Sequence, residues 1–145
     1  MFRIRVERLI RKHIDNVFDV LSDHGAYSRF PGITRSILLE QGRLERNGEG
    51  ALRRLGSGPV DFYERITCFE RPTRLDYLIE RSRPLPFRHE KGMLLFAAED
   101  GNTRVVWTSE GHVDIPVLGS LVFDRLVERR GALLFGSILE FLDDG

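Results

Sequence analysis

The segment LGSLVFDRLVERRGALLFGSILEFL, residues 118–142, repeats its apolar side chains at a helical interval. Leu118, Val122 and Leu126 recur every fourth residue, and Leu134, Ile138 and Leu142 continue the stripe after a small drift. Phe123, Val127, Phe135, Leu139 and Phe141 widen the apolar side. This spacing predicts one long terminal helix with a broad face to bury. Gly131 and Gly136 interrupt it, each lowering intrinsic helicity by about 1 kcal/mol relative to alanine. They therefore mark a close approach or a bend. Asp143-Asp144-Gly145 ends the chain with acidic charges that oppose the helix dipole, which predicts fraying.

Upstream the period changes from helical to alternating. Six strands are expected, over Thr34–Gln41, Gly50–Gly56, Val60–Phe69, Arg74–Arg81, Phe87–Ala98 and Thr103–Val113. Gly56-Ser57-Gly58-Pro59, Arg71-Pro72-Thr73 and Glu99-Asp100-Gly101-Asn102 supply turns between them. Val60, Phe62, Ile66 and Cys68 share one face with Glu64 as its polar member, and a bulge is expected near Gly92. Met1–Arg11 reads as a further strand, with Ile4, Val6 and Ile10 on its apolar face. Ile14–Ser22 has helical spacing, with Asp15 as its expected N-terminal cap and His24 as a cap for its other end. Gly25–Phe30 forms one more helical turn before Pro31-Gly32. The order is strand, short helical pair, six strands, long helix. A sheet of that size has a face to cover, and only the last helix is long enough to cover it. The expected class is α+β, a curved antiparallel sheet around the C-terminal helix. Curvature keeps sheet and helix apart over part of their length and can leave an apolar cavity.

The 145 residues suit a single domain over 1–145. Hydrophobic residues at 41% and charged residues at 30% exclude a disordered chain. The formal net charge is zero, so no bulk electrostatic pull toward nucleic acid follows. Lys12 and Lys91 are the only lysines among 22 basic residues. Cys68 is the sole cysteine, which excludes an internal disulfide, and its place in the apolar alternation predicts a buried, inert thiol. Four separated histidines make no metal motif, and no phosphate-binding glycine loop occurs, so neither metal nor cofactor is expected. No run reaches the roughly 18 apolar residues of a membrane span. Met1–Arg11 lacks the apolar core of a signal peptide, so the expected location is the cytoplasm without integral membrane association.

Several short stretches together resemble one family. Ile14-Asp15-Asn16-Val17-Phe18-Asp19-Val20-Leu21-Ser22-Asp23 is followed by Tyr27 and Phe30-Pro31. Glu64-Arg65-Ile66, Arg71-Pro72 and Arg74-Leu75-Asp76-Tyr77 form a central strand-turn-strand unit. Pro84-Leu85-Pro86-Phe87-Arg88 and Gly101-Asn102-Thr103-Arg104-Val105-Val106-Trp107 complete the pattern. In their order and spacing they resemble the START-like helix-grip superfamily (SRPBCC), in its polyketide cyclase/dehydrase-like branch. The resemblance spans essentially the whole chain. It implies a helix-grip fold with a hydrophobic pocket that takes a lipid or another apolar small molecule. Only some such proteins catalyse a reaction, and the branch carries no universal catalytic motif onto numbered positions here.

The candidate ligand-binding residues are Phe30, Phe62, Glu64, Tyr77, Phe87, His89, Trp107, Glu110 and His112. The aromatic rings can wall a pocket, and Tyr77, like Tyr63, adds a hydroxyl to a ring. Glu64 can accept from a ligand hydroxyl or act as a base, or it can pair with Arg53, Arg65 or another arginine at the sheet surface. Glu110 and His112 stand two apart, a spacing that places an acid and a base on one strand face at a pocket mouth. His89 and Lys91 share a face if their strand is regular and could then meet an anionic head group. Three functions compete. The first is binding or transport of a hydrophobic small molecule or lipid. The second is polyketide cyclisation or dehydration, with Glu64, Glu110, His89 or His112 as the base. The third is a regulatory domain that contacts protein or RNA through Arg43, Arg46, Arg53 and Arg54. An exposed apolar edge or helix face would instead make a homodimer.

Overall fold

The computed structural model describes residues 1–145. Seven strands form one antiparallel sheet in the order β1-β7-β6-β5-β4-β3-β2. They are β1 (Phe2–Ile10), β2 (Arg35–Glu40), β3 (Leu52–Ser57), β4 (Val60–Glu70), β5 (Arg74–Arg83), β6 (Phe87–Glu99) and β7 (Asn102–Val113). Helix α1 (Ile14–Ser22) and a 3-10 helix over His24–Arg29 follow β1. The long helix α2 covers Asp124–Asp144 and is preceded by a π-helical turn over Gly119–Phe123. This is the expected α+β helix-grip architecture. No helix is long and apolar enough to cross a membrane.

Alternation is strict on β7, where Thr103, Val105, Trp107 and Ser109 are buried and the residues between them are half-exposed. Elsewhere four one-residue irregularities, at Leu39, Thr67, Glu80 and Glu90, interrupt the ladder and change which side chains face inward. Thr67 is skipped between the pairs Ile66–Tyr77 and Cys68–Asp76. Cys68 is thereby turned outward beside Glu70 and Phe69 inward onto Phe18, which corrects the expectation of a buried thiol. Cys68 stays half-buried, and that partial burial, with the acidic Asp76 and Glu70 nearby, holds its thiol above the ordinary pKa. Glu80 is skipped opposite Tyr63 and Glu64. Glu90 is skipped between His89 and Lys91, so the bulge lies there and not at Gly92, and the two residues do not act as a same-face pair. Gly92 has another reason to be glycine. A Cβ there would stand 2.6 Å from the Tyr77 ring.

Both helices are fixed by specific partners. The cap of α1 is His13, not Asp15, because His13 Nδ1 accepts the Asp15 N–H at 3.3 Å. Val17, Phe18 and Leu21 are fully buried, and the Phe18 ring meets Phe96 edge-on at 5.0 Å. At the start of α2, the Asp124 carboxylate accepts the Val113 N–H at 2.7 Å. Its other end stays helical through Asp144 and is tied down. The Asp143 carboxylate accepts the Arg11 N–H at 2.9 Å and the Arg8 guanidinium at 3.0 and 3.1 Å. The Arg11 backbone bond, followed by the two guanidinium bonds, keeps the Asp143 pKa below its ordinary value. Gly131 marks the close approach that its position suggested, since a Cβ there would meet Ile4 Cδ1 at 2.3 Å. Gly136 has nothing within 4 Å of its Cβ position, and no packing reason for it is visible.

The core lies toward the C-terminal end of α2, where Ile138, Leu139 and Leu142 join α1 and the inner face of the sheet. Toward the start of α2 helix and sheet diverge, and the space between them is not filled.

Candidate functional site

That space is a cavity of about 480 Å³, and 17 of its 25 lining residues are hydrophobic, which suits an apolar occupant. Val127, Gly131, Leu134 and Phe135 line it from α2. Phe62, Ile79, Phe87 and Trp107 line it from the sheet, with Phe2 and Ile4 from β1. Trp107 stacks on Phe135 at 4.1 Å and 8° between planes. Phe87 meets Phe62 at 5.3 Å and Phe2 at 5.6 Å. Pro59, Leu126 and Arg130 line the cavity and are also exposed to solvent, so they mark its mouth. A wider groove of about 590 Å³ beside α1 and β2 has only 2 hydrophobic residues among 10 and is an open surface feature.

The inner polar group is built around Arg53, which is 1% exposed, and Glu64, which is 6% exposed. Strand register brings them together, because Arg53 pairs with Glu64 across β3 and β4. Arg53 Nε and Nη2 both contact Glu64 Oε1, at 2.9 and 2.7 Å. The second carboxylate oxygen accepts no hydrogen bond from the protein. Arg53 Nη1 reaches His24 Nδ1 at 2.9 Å, and His24 Nε2 reaches the Asn47 carbonyl at 2.8 Å. The guanidinium carbon lies 4.8 Å from the Tyr27 ring centre and 5.2 Å from that of Tyr77. Burial opposes the Arg53 charge, but Glu64 together with the Tyr27 and Tyr77 oxygens outweighs it and the pKa is raised.

A second chain of bonds runs behind the cavity wall. Trp107 Nε1 donates to the Tyr77 hydroxyl at 3.0 Å. The His89 ring stacks on Tyr77 at 5.6 Å and 17°. Ile79 N–H donates to His89 Nδ1 at 3.0 Å, which leaves Nε2–H to donate to Ser109 Oγ at 2.8 Å. The same logic assigns His24. Its Nδ1 receives the Arg53 N–H, so its Nε2 carries the proton toward Asn47. Burial, and then the Arg53 charge, pushes His24 down to about 3. Burial pushes His89 down to about 4. Burial also raises the Tyr77 hydroxyl, with the Glu64 charge adding to it. Both histidines are neutral and have both ring nitrogens engaged. Tyr77 remains protonated.

Of the residues singled out in the sequence, Phe62, Glu64, Tyr77, Phe87 and Trp107 line the cavity together. Phe30 does not. It is buried in the core, 5.0 Å from the Tyr27 ring and 6.0 Å from Phe141. His89 stands behind the wall and reaches the cavity only through Tyr77 and Ser109. Glu110 and His112 point from the opposite face of β7, because Trp107 and Ser109 take the inward positions. Glu110 lies 4.0 Å from Arg3, and His112 lies 3.6 Å from Glu90. No acid–base pair therefore forms at the mouth. Arg53 leaves the expected surface patch for the interior, and Arg54 pairs with Asp61 at 3.2 Å. His24 is fully buried and does not cap α1. Arg53, Ser109, Tyr27 and Arg130 were not among the candidates. For Arg53 the signal was present, since it alternates with the apolar residues Ala51 and Leu55.

A family model described as polyketide cyclase / dehydrase and lipid transport matches residues 1–138. Solved structures agree in fold. TTHA0849 from Thermus thermophilus superposes with a TM-score of 0.79 at 21% identity, covering 98% of this chain and 94% of that one. The Zhui aromatase/cyclase from a Streptomyces species gives 0.76 at 18% identity, covering 97% and 92%. A START superfamily protein from Mycobacterium smegmatis gives 0.67 at 14% identity, covering 94% and 97%. No curated protein matches the sequence.

Proposed function

The chain belongs to the polyketide cyclase / dehydrase and lipid transport family, and from that premise we propose that it binds an apolar small molecule or lipid in the helix–sheet cavity. The carrying observation is a ligand-sized, mainly apolar space with a neutralised Arg53–Glu64 pair at its inner polar end. A ligand that hides about 200 Å² of apolar surface gains about 5 kcal/mol from transfer alone. The polar groups then set orientation. Glu64 offers a free carboxylate oxygen to a ligand hydroxyl, and the protonated Tyr77 can donate to a carbonyl. Arg53 carries no net attraction for an anion, because Glu64 already balances it.

A second reading is cyclisation or dehydration of an enolisable substrate. It is favoured by the convergence of Glu64 and Tyr77 in one cavity. Glu64 would take the proton from carbon and Tyr77 would hydrogen-bond the developing oxyanion. His24 and His89 have no free nitrogen for the base, and Glu110 and His112 lie outside.

Val127→Trp tests the binding reading. The larger ring occupies the cavity from α2, and the half-exposed site limits the cost to the fold. Affinity for a neutral naphthylamine dye, followed by fluorescence, is expected to fall about tenfold or more, the equivalent of 1.4 kcal/mol, with the thermal unfolding midpoint nearly unchanged. Undiminished dye affinity in the folded variant would count against this cavity as the binding site.

A further inference from the structure

Twelve large apolar side chains are exposed on this chain, and six of them fall within Val117–Leu133. Leu121, at 62%, and Val122, at 51%, project from the turn that leads into α2. Arg125, Arg129 and Arg130 follow immediately, all exposed and none in an ion pair. The acidic groups close in sequence form no ion pair with them, and the three arginines outnumber Asp124 and Glu128, the two carboxylates of the segment. Asp124 is buried, Asp114 pairs with Arg88, and a Glu128 oxygen accepts the Arg3 N–H. Arg130 also lines the cavity mouth, so the apolar and cationic segment is continuous with the opening.

Building on the cavity reading, we propose that Val117–Leu133 docks peripherally on an anionic lipid surface and presents the cavity mouth to it. Exposed apolar side chains followed by arginines are what such an interface accommodates. The apolar groups enter the acyl boundary while the guanidinium groups meet lipid phosphates. No helix here can span the bilayer, so the contact is superficial. A second copy suits this face less well. Two-fold pairing would set the three arginines of each copy against those of the other, with only Glu128 as an exposed acidic group to offset them.

Sedimentation with vesicles tests the docking. The intact chain is expected to bind vesicles of equal parts phosphatidylcholine and phosphatidylserine, to bind phosphatidylcholine alone much less, and to be released by salt. Arg125→Gln with Arg129→Gln should weaken anionic-vesicle binding by about 25-fold, or about fivefold per arginine. Leu121→Ser with Val122→Ser should also weaken it. None of these four residues lines the cavity, so naphthylamine-dye affinity should stay unchanged in both variants. Absent vesicle binding, or equal binding to both lipid compositions, overturns the docking while intact dye binding leaves the cavity reading standing. A dimer dissociated by the Leu121/Val122 variant also overturns it and assigns the face to a second copy.

Discussion

Arg53→Met is expected to destabilise the fold by about 3–5 kcal/mol, because it leaves a buried carboxylate without its counter-charge. Arg53 is the only cation bonded to Glu64, and it also donates to His24. Its removal strands both groups in a region closed to water on the Arg53 side. The ordering of the loss matters more than its size. Arg53→Met with Glu64→Leu removes both charges and should recover most of the stability, since a buried ion pair exchanged for apolar groups of similar volume is often neutral. Urea unfolding of the two variants measures this. A single variant within about 1 kcal/mol of the parent would show that Glu64 finds water or another donor, and that the polar end is not sealed.

The second large effect is a loss of stability on mild acidification. His24 and His89 titrate at about 3 and about 4 in the folded chain, against 6.5 when unperturbed. Above about pH 6.5 both are neutral in the folded and the unfolded chain, and their full contribution is present. Below that value the unfolded chain takes up protons that the folded chain refuses, so stability falls with pH. The slope approaches about 1.4 kcal/mol per pH unit for each histidine. The fall continues through the folded value of each group. The lowered carboxyls of Glu7, Asp61, Glu99, Asp124 and Asp143 act from about pH 4.5 downward, so the window from about pH 6.5 to about pH 5 reports mainly the histidines. His24→Gln can keep the acceptor toward Arg53 and the donor toward Asn47 without titrating, and should flatten the profile. Stability unchanged between about pH 7 and about pH 5 would contradict the burial assigned to both rings.

The element order was legible because periodicity is a local property. The stripe from Val122 to Leu142 and the alternation of Thr103, Val105 and Trp107 need no knowledge of neighbours. Ile14–Ser22 coincides with α1 for the same reason. What could not be read locally was side-chain direction past a bulge. Thr67, Glu80 and Glu90 each sit at a one-residue slip that depends on the partner strand. Those slips send Cys68 outward and separate His89 from Lys91. Glu110 and His112 pose a different problem. Their strand is regular, but alternation alone does not say which face turns toward the helix, and Trp107 settles it only once the sheet has closed around α2. The inward arginine was hidden by habit of charge. Arg53 looks like a surface residue until its cross-strand partner is known to be Glu64. The expectation of fraying at Asp143 took no account of Arg8 and Arg11, which lie more than 130 positions away and supply tertiary bonds against the unfavourable helix dipole.

Native mass spectrometry of protein purified without detergent addresses the cavity most directly. The expected spectrum contains a folded population carrying one apolar small molecule, and Val127→Trp loses that added mass while keeping the folded charge-state distribution. A bare mass in both proteins, with no uptake by the parent after incubation with lipids and neutral aromatic compounds, would contradict a binding role for the space between α2 and the sheet.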